Sequence, residues 1–385
     1  MPRIDHALIV GAGIAGCSAA IALAQQGVRV TMVEKQRAWK FQSSGLFIYS
    51  NGLRALHAIG VLPPILEAGF AVPGGRNRYF DQDGSFIVET VYPSLEGLPA
   101  ILGIKRAELH RILASRIDEL GIALKLGTAV IRMPPAGGDA PPRVALSDGS
   151  EDAFDLVIGA DGIRSQVRAE AFAHIAPAYS GFGVWRSVHD RPRGLDAKIM
   201  MMGVGKRLGI MPISEEKLYM FGVMLEPQDC WYAPADWPAL MRERFGQFGG
   251  PAAPFLDQLG PGSEVLYTGV EEVIAPLPWH AGRVVLIGDA VHASTPFMGQ
   301  GGAMALEDAV VLAEVLAEPH PLEEALRKFA ARRHPMCKLV QDVSRQVGQA
   351  GALEEAEDCA RRNLELRRDG QGKVDAFFAA LERLR

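Results

Sequence analysis

The first residues that could do chemistry are glycines near the start of the chain. Gly11-x-Gly13-x-x-Gly16 follows a short apolar run and opens a helix-like pattern, and Glu34 ends the next strand-like run. Glycines at this spacing permit a tight turn and let backbone N–H groups approach a pyrophosphate at the positive end of a helix dipole. Glu34 is placed to accept hydrogen bonds from an adenosine ribose. The pattern predicts a dinucleotide site, since a turn needed only for close packing leaves Glu34 unexplained.

Two further acids follow strand-like runs later in the chain. Asp161 and Gly162 end the run "FDLVIGADG", and Asp289 ends the run "RVVLIGD". Carboxyl ends of parallel strands line the crevice where open α/β sheets bind ligands, and sugar or ribityl hydroxyls are natural partners for carboxylates there. A helix cap or a surface acid is the plainer alternative for each. Together with the first motif they favour a bound dinucleotide, which could be NAD or FAD.

These three motifs, in this order and at these separations, resemble those of a known enzyme family. They look like the single-component FAD-dependent aromatic hydroxylases of the para-hydroxybenzoate hydroxylase superfamily, and the similarity covers residues 4–333. An Arg-x-x-Leu element at Arg106 and a Gly-x-x-x-Trp-Arg turn at Gly181 add to it. The resemblance implies that FAD is the bound dinucleotide.

The stretch "GDAVHASTPFMGQGGAMALEDA" crowds glycines and a proline between a strand-like and a helix-like run. The resemblance implies that Asp289 holds the ribityl hydroxyls, that Pro296 lies beside the reactive edge of the flavin, and that residues 299–302 offer N–H groups to its pyrimidine end. Independently, the helix predicted at 303–316 directs its positive end at that spot, which favours a reduced, anionic flavin. We expect cofactor contacts from Gly11, Gly13, Ile14, Ala15, Gly16, Glu34, Lys35, Arg106, Val130, Asp161, Gly162, Asp289, Pro296, Gly299, Gln300, Gly301 and Gly302.

The activity implied by the resemblance is a monooxygenase reaction. NAD(P)H reduces FAD, and O₂ then gives a flavin C4a-hydroperoxide that hydroxylates a small aromatic or N-heteroaromatic ring. NAD(P)H is expected as a transient co-substrate, because the chain has no second glycine fingerprint. An FAD-dependent oxidase or dehydrogenase and a non-catalytic FAD-binding regulatory protein are the alternatives. A halogenase would be expected to carry a Trp-rich motif, and none is seen.

Arg207 and Tyr219 are the polar residues we expect to contact substrate, and with Pro296 they form the expected catalytic set. Both lie in "GKRLGIMPISEEKLYMFGV", which resembles a stretch of the FAD-dependent urate hydroxylases where matching arginine and tyrosine residues contact substrate. A solvated strand arginine and a core tyrosine are the alternatives. His292 could serve as a general base, but its position after the Asp289 turn favours a structural hydrogen bond. No metal site is expected.

The elements that must position these residues alternate in type along the chain. They predict an α/β fold with a Rossmann-like FAD-binding lobe on a parallel sheet, a mostly antiparallel β-sheet substrate lobe and C-terminal helices. An antiparallel hairpin about Asp83-Gly84 interrupts the first lobe. We also expect a surface loop at 134–142 and a helix break at 370–373. The expected domains are FAD-binding at 1–73, 101–175 and 275–345, substrate-binding at 74–100 and 176–274, and a helical tail at 346–385.

Composition excludes several classes of protein. The 385 residues are 48% hydrophobic and carry a net charge of -5 without a basic stripe, so nucleic acid is not an expected partner. The four cysteines are scattered and form no CxxC pattern, which points to a reducing cytoplasm. The apolar run at 7–24 divides into a strand and a helix and does not predict a membrane segment. A monomer or a homodimer is expected.

Overall fold

The computed structural model describes residues 4–40, 44–133, 140–172 and 175–385, so most of the predicted loop at 134–142 lies outside the described residues. Its centre is a six-stranded sheet in which every neighbouring pair is parallel except the first, which is antiparallel. In spatial order the strands are His280–Ala281, Val284–Leu286, Leu156–Gly159, His6–Val10, Arg29–Glu34 and Ala123–Leu126. The predicted parallel sheet is confirmed.

Helices cover this sheet. The helix Ile14–Gln25 is buried along almost its whole length, because its alanines and glycine allow close packing against the sheet and the long helix Gly301–Ala317. No helix in the described part of the chain is both long enough and apolar enough to cross a membrane. The other helices of this region are Ser50–Ala58, Leu62–Ala68, Arg106–Glu119, Gln166–Ala171, Asp289–His292 and Leu322–Gly351.

A seven-stranded sheet forms a second layer. It is antiparallel except where Lys198–Met202 runs parallel to Arg76–Asp81. The predicted hairpin about Asp83-Gly84 forms the edge of this sheet. In spatial order the strands are Val265–Glu272, Ala178–Asp190, Lys217–Leu225, Lys206–Pro212, Lys198–Met202, Arg76–Asp81 and Phe86–Val91.

Strand alternation gives the seven-stranded sheet two buried faces. Met200 and Met211 belong to the core shared with the six-stranded sheet, whereas Met201 and Leu208 belong to a separate outer core. The outer core is closed by the helices Trp237–Phe245 and Ala253–Asp257. We call the first face the inner face.

Two small sheets complete the layers. Gly45–Tyr49, Ile101–Lys105 and Phe70–Ala71 form an antiparallel sheet, and Val130–Arg132, Arg143–Leu146 and Glu151–Ala153 form another. The first touches the seven-stranded sheet so closely that a Cβ at Gly103 would lie 1.9 Å from the Pro212 carbonyl oxygen. Short 3₁₀ turns lie at Pro73–Gly75, Pro234–Asp236 and Pro296–Met298.

The last helical segment, Ala356–Arg383, has a kink close to the predicted break. A break is expected at 370–373, and the helical geometry is interrupted at Asp369, which has φ -140 and ψ 17, immediately before Gly370. After the kink, Gln371 accepts a hydrogen bond from the Val91 N–H at 2.7 Å and donates one to the Val91 carbonyl at 3.0 Å. The helix thus pairs with the free edge of the hairpin.

Candidate active site

The sequence motifs meet at one edge of the six-stranded sheet. Gly11 follows His6–Val10, Glu34 ends the neighbouring strand, Asp161 follows Leu156–Gly159, and Asp289 follows Val284–Leu286. These four strands are adjacent and parallel, so their carboxyl ends share one crevice. The motifs therefore contribute to a single site, as parallel pairing requires.

The three glycines of the first turn have different functions. A Cβ at Gly11 would lie 2.6 Å from the Ala160 carbonyl oxygen, and one at Gly16 would lie 2.0 Å from the Gly11 carbonyl oxygen. These two positions are glycine because the backbone packs closely there. A Cβ at Gly13 would meet nothing within 4 Å. Packing within the protein therefore does not require glycine at position 13.

Glu34 and Asp161 both bind backbone N–H groups. The Glu34 carboxylate accepts from the N–H of Ala12 at 3.0 Å and from that of Gln36 at 2.9 Å. Asp161 accepts from the Ser165 hydroxyl at 2.5 Å and from the N–H of Gln166 at 2.7 Å. The Asp161 carboxylate thus anchors the start of the helix Gln166–Ala171, which favours the helix-cap interpretation for this acid.

The turn before Asp289 is fixed by a buried ionic network. Gly288 has φ +60 and donates its N–H to Asp308 Oδ2 at 2.8 Å. His292 Nε2 lies 2.6 Å from the same oxygen, and Arg333 Nε donates to Asp308 Oδ1 at 2.7 Å. His292 therefore makes a structural hydrogen bond. The network fixes the backbone that presents the exposed Asp289.

Charges in this network shift the pKa values of its members. Burial alone would lower the pKa of His292, but Cys337 and the Asp308 carboxylate raise it well above its ordinary value. Burial alone would raise the pKa of Asp308, yet the charges of His292 and Arg333 lower it to about 2. His292, Asp308 and Cys337 offer atoms within 4.8 Å of one another. Asp308 Oδ1 is bound by Arg333, and Oδ2 is bound by Gly288 and His292, so hydrogen bonds and ion pairs occupy both oxygens of this carboxylate.

The stretch that follows is a turn that opens a helix. Pro296–Met298 is a single 3₁₀ turn, and Gly299 has φ +67 with its Cα against the Phe47 ring. Gln300 is buried and accepts from Asn51 Nδ2 at 3.1 Å, which leaves Gln300 Nε2 and Asn51 Oδ1 without partners. A Cβ at Gly302 would meet nothing within 4 Å. The helix Gly301–Ala317 starts earlier than predicted and aims its free N–H groups at this opening.

The other predicted cofactor residues differ in exposure and packing. Ala15 is buried, and a Cβ at Gly288 would lie 2.8 Å from its Cβ. Gly162 has φ +81 and open space beside it. Ile14 is half-buried, Lys35 is exposed, and Val130 is buried with its carbonyl accepting from Gln166 Nε2 at 3.0 Å.

Arg106 links the crevice to the seven-stranded sheet. The surrounding protein lowers its pKa although its side chain still reaches solvent, as expected for a residue that lines a cleft. The Asp289 carboxylate raises this pKa, and the Arg186 guanidinium lowers it. Arg106 is therefore in electrostatic contact with residues of both layers.

Arg207 lies on the inner face and is not a solvated strand arginine. Its side chain is buried at 3% exposure, opposite Val223 on the next strand. Its Nε and Nη2 have no hydrogen-bond partner, and its Cζ lies 4.8 Å from the centre of the Phe297 ring. Burial lowers the pKa of Arg207 to about 10, so the guanidinium stays charged near neutral pH. The structure places this cation next to the turn that contains Pro296.

Tyr219 is buried on the same face. A Cβ at Gly45 would lie 2.4 Å from its Cβ, and its ring stacks on Phe221 with centroids 5.4 Å apart. Burial raises the pKa of Tyr219, whereas the charges of Arg186 and Arg106 lower it. The phenol therefore lies near the guanidinium groups of Arg186 and Arg106, even though its ring packs like a core aromatic.

Sequence reasoning missed Lys198. This lysine is 5% exposed on the inner face, and its Nζ donates to the hydroxyls of Tyr92 at 3.0 Å and Tyr49 at 3.3 Å. The same nitrogen lies 4.3 Å from the centre of the Phe47 ring. Burial lowers the pKa of Lys198 to about 7, with a further contribution from the Arg207 charge. A lysine in phase with Met200 and Met202 on an apolar strand was the available signal.

Replacing Lys198 by methionine should stabilise the protein in a pH-dependent way. The folded-state pKa lies below the unfolded one, so between about pH 7 and 10 the unfolded chain binds more protons and wild-type stability rises with pH. We expect Lys198→Met to be more stable by about 2 to 4 kcal/mol at pH 7 and to lose most of this advantage by pH 10. The measurement is urea unfolding of both proteins across that range.

The control for this experiment is Lys217→Met. Lys217 is a half-buried lysine of the same sheet whose pKa is raised by its hydrogen bond to Asp190. Tyr49 and Tyr92 have raised pKa values and stay neutral throughout the window. A constant difference between wild type and Lys198→Met from pH 7 to 10 would contradict the expectation.

Comparisons with known proteins agree with this geometry. The family model described as the FAD binding domain matches residues 5–344. The aurachin C monooxygenase/isomerase of Stigmatella aurantiaca is 33% identical over 96% of this chain and 95% of its own. The 2-heptyl-3-hydroxy-4(1H)-quinolone synthase of Pseudomonas aeruginosa is 33% identical over 90% of each chain. The crystal structure of Klebsiella pneumoniae HpxO complexed with FAD and uric acid matches with a TM-score of 0.86 and 26% identity, covering 98% of this chain and 96% of that one.

Proposed function

Because this chain belongs to the FAD binding domain family, we propose that it is an FAD-dependent monooxygenase that hydroxylates a small aromatic or N-heteroaromatic ring. NAD(P)H and O₂ are the co-substrates. The observation that carries the proposal is the meeting of the glycine crevice, the Pro296–Met298 turn and the buried polar inner face at one place. An FAD-dependent oxidase would also need a substrate pocket beside the flavin, so the two activities are separated by the experiment below.

The residues present fit FAD. Gly13, Gly162 and Gly302 each leave open space where a side chain would stand. Gln300 Nε2 and Asn51 Oδ1 are buried without partners, next to the start of the helix Gly301–Ala317. Residues 11–16 and Glu34 would hold the adenosine diphosphate part, Asp289 the ribityl chain, and residues 299–302 the ring. When bound, FAD takes a hydride from NAD(P)H and transfers one oxygen atom of O₂ to the substrate, while the other leaves as water.

The protein's own contribution is positioning and exclusion of water. Phe47 and Phe297 form apolar walls beside Gly299 and Arg207 respectively. Arg207 and Tyr219 would orient the substrate ring in this pocket, because both are buried polar groups on the face turned towards the crevice. The positive end of the helix Gly301–Ala317 would stabilise negative charge on the reduced cofactor.

The experiment that tests the proposed function is NAD(P)H oxidation by the purified yellow protein in air. Phenols, aminobenzoates, hydroxypyridines and purines are added one at a time, and hydrogen peroxide and hydroxylated product are measured in parallel. We expect one ring class to accelerate NAD(P)H oxidation with little peroxide and with stoichiometric product. Oxidation that gives only peroxide with every ring would favour an oxidase, and no reduction of FAD even without oxygen would favour a non-catalytic flavoprotein.

Arg207→Gln should uncouple the reaction. Loss of a charged hydrogen bond costs about 1.5 to 3 kcal/mol, so product per NAD(P)H consumed should fall about tenfold or more while peroxide rises. The measurement is product, peroxide and NAD(P)H stoichiometry with the best ring of the panel. Lys217→Met on the same sheet is the control and should retain wild-type stoichiometry. Unchanged coupling in Arg207→Gln would remove Arg207 from the substrate site.

A further inference from the structure

The inner face of the seven-stranded sheet carries two buried cations that lack a counter-ion. Neither Arg207 nor Lys198 forms an ion pair with any residue in the described ranges. The groups that act electrostatically on Arg207 are the phenols of Tyr79, Tyr49 and Tyr92, and two of these also bind Lys198. The two cations therefore share one aromatic enclosure.

Without a bound ligand, this arrangement lowers the stability of the folded protein. A charge buried without a partner is destabilising, and two charges of the same sign repel each other. The neighbouring inner-face residue Met200 shows that an apolar side chain packs well at this level of the sheet. Folding does not require the cations here, so a ligand is the better explanation for them.

The unpaired atoms of Arg207 indicate the shape of the ligand group. Its Nε and Nη2 are the two atoms of one edge of the guanidinium, and both are buried without partners. That edge donates two parallel hydrogen bonds to a planar carboxylate, which is the preferred geometry of Arg–carboxylate pairs. Lys198 adds a second donor and, when protonated, a second positive charge.

The aromatic side chains place this anion site relative to the rest of the pocket. The Phe47 ring touches the Cα of Gly299 at one side and lies 4.3 Å from Lys198 Nζ at the other. Phe297, which follows Pro296, covers the guanidinium of Arg207. The Phe47 ring therefore separates Lys198 from Gly299, and Phe297 lies between Arg207 and the rest of the turn that would hold the flavin ring.

We propose that the substrate is an aromatic carboxylate, whose acid group is bound by the free edge of Arg207 and by Lys198 within the enclosure of Tyr49 and Tyr92. Lys198 is then a specificity residue, which excludes neutral rings of the same shape. The C-terminal helix supports this site, because Phe378 packs on Tyr49 with centroids 5.4 Å apart and on Tyr92 at 6.0 Å. This proposal rests on the proposed function.

The first test compares acids with their neutral amides. The holoenzyme is titrated without NAD(P)H, and binding is followed by the change in flavin absorbance. The probes are benzoate and benzamide, 4-hydroxybenzoate and 4-hydroxybenzamide, anthranilate and anthranilamide, and quinoline-2-carboxylate and its carboxamide. We expect at least one acid to bind about tenfold or more tightly than its amide, as two charge-assisted contacts imply. If no acid binds more tightly than its amide, the proposal fails.

The second test isolates Lys198. In Lys198→Met the preference for acid over amide should fall about tenfold or more, whereas binding of the amide should change less than about threefold. Lys206→Met is the matched control, since Lys206 is a lysine of the adjacent strand that donates to the Arg244 carbonyl. An unchanged acid preference in Lys198→Met would overturn the role of Lys198.

These outcomes are separable from failure of the proposed function. Binding is measured without reductant, so acid preference can be found in a protein that never hydroxylates. Conversely, coupled hydroxylation of a neutral ring, with no acid preferred over its amide, would support the proposed function and overturn this inference.

Discussion

Gly13→Val is expected to give a folded but colourless protein. A Cβ at position 13 would meet no protein atom within 4 Å, so a small side chain has space on the protein side. The same side chain would occupy the space where the pyrophosphate of FAD must approach the backbone N–H groups at the start of the helix Ile14–Gln25. We expect FAD affinity to fall about 100-fold or more, or roughly 3 kcal/mol, because backbone contacts to the phosphates are lost.

Two further glycine variants make this prediction specific. Gly260→Val also places a side chain in open space, but in a surface loop of the other layer, and should remain yellow. Gly16→Val puts its Cβ 2.0 Å from the Gly11 carbonyl oxygen and should fail to fold normally. The measurements are the FAD content after purification, the dissociation constant by fluorescence titration of the apoprotein, and the thermal midpoint of each apoprotein. Wild-type FAD binding by Gly13→Val would remove the glycine turn from the cofactor site.

Gly11, Gly13 and Gly16 show which features of the candidate site could be predicted from the sequence. Strand, turn, helix and acid are local features with periods of 2 and 3.6 residues, so the βαβ unit was predictable. The spacing alone could not divide the glycines into two needed for packing and one that leaves space. For Gly11 the close contact is with Ala160, which lies far along the chain and reaches Gly11 only through parallel pairing, whereas for Gly16 it is with the Gly11 carbonyl within the same turn.

For Asp161 the position was predictable from the sequence, but its hydrogen-bond partners were not. Its place at the end of a strand predicted a position in the crevice, and the strand order puts it there. Both of its oxygens, however, accept hydrogen bonds from residues 165–167. A carboxylate at a strand end can bind either a ligand or the next helix, and only the backbone path after Gly162 decides between them.

The buried charges were the least predictable part of the candidate site. Alternation places Lys198 in phase with Met200, but it does not reveal that this face meets Tyr49 and Tyr92 from another sheet. In the same way, Asp308 lies within an apolar helix, and its partner Arg333 follows 25 residues later on another helix. Long-range pairing decides whether such a buried charge destabilises the fold, stabilises it through an ion pair, or binds a ligand.

The other large effect is expected from Asp308→Ala. This change leaves the guanidinium of Arg333 with one carboxylate instead of two, removes the partner of His292, and frees the N–H of Gly288. Breaking a fully buried ion pair by removing one partner costs about 3 to 5 kcal/mol. The Gly288 N–H anchors the turn before Asp289, so FAD affinity should also fall, by about fivefold for one lost hydrogen bond. Urea unfolding and FAD titration measure the two effects.

The pH dependence gives this prediction a second signature. The lowered pKa of Asp308 means that its stabilising contribution is present above pH 3.8 and is lost as the pH falls towards about 2. The raised pKa of His292 means that its contribution is full below pH 6.5 and is lost only as the pH rises past the raised value. The stability difference between wild type and Asp308→Ala should therefore be largest between about pH 4 and 6.5.

Glu314→Ala is the matched control, because Glu314 lies on the same helix and pairs with Arg332 at the surface. Breaking an exposed pair of this kind costs about 0 to 1 kcal/mol, and the loss should not affect FAD binding. If Asp308→Ala lowers the free energy of unfolding no more than Glu314→Ala does, the buried network of Asp308, His292 and Arg333 does not hold the turn at Gly288. In that case the conformation of Gly288 must be set by its other contacts, such as its packing against Ala15 and Ala305.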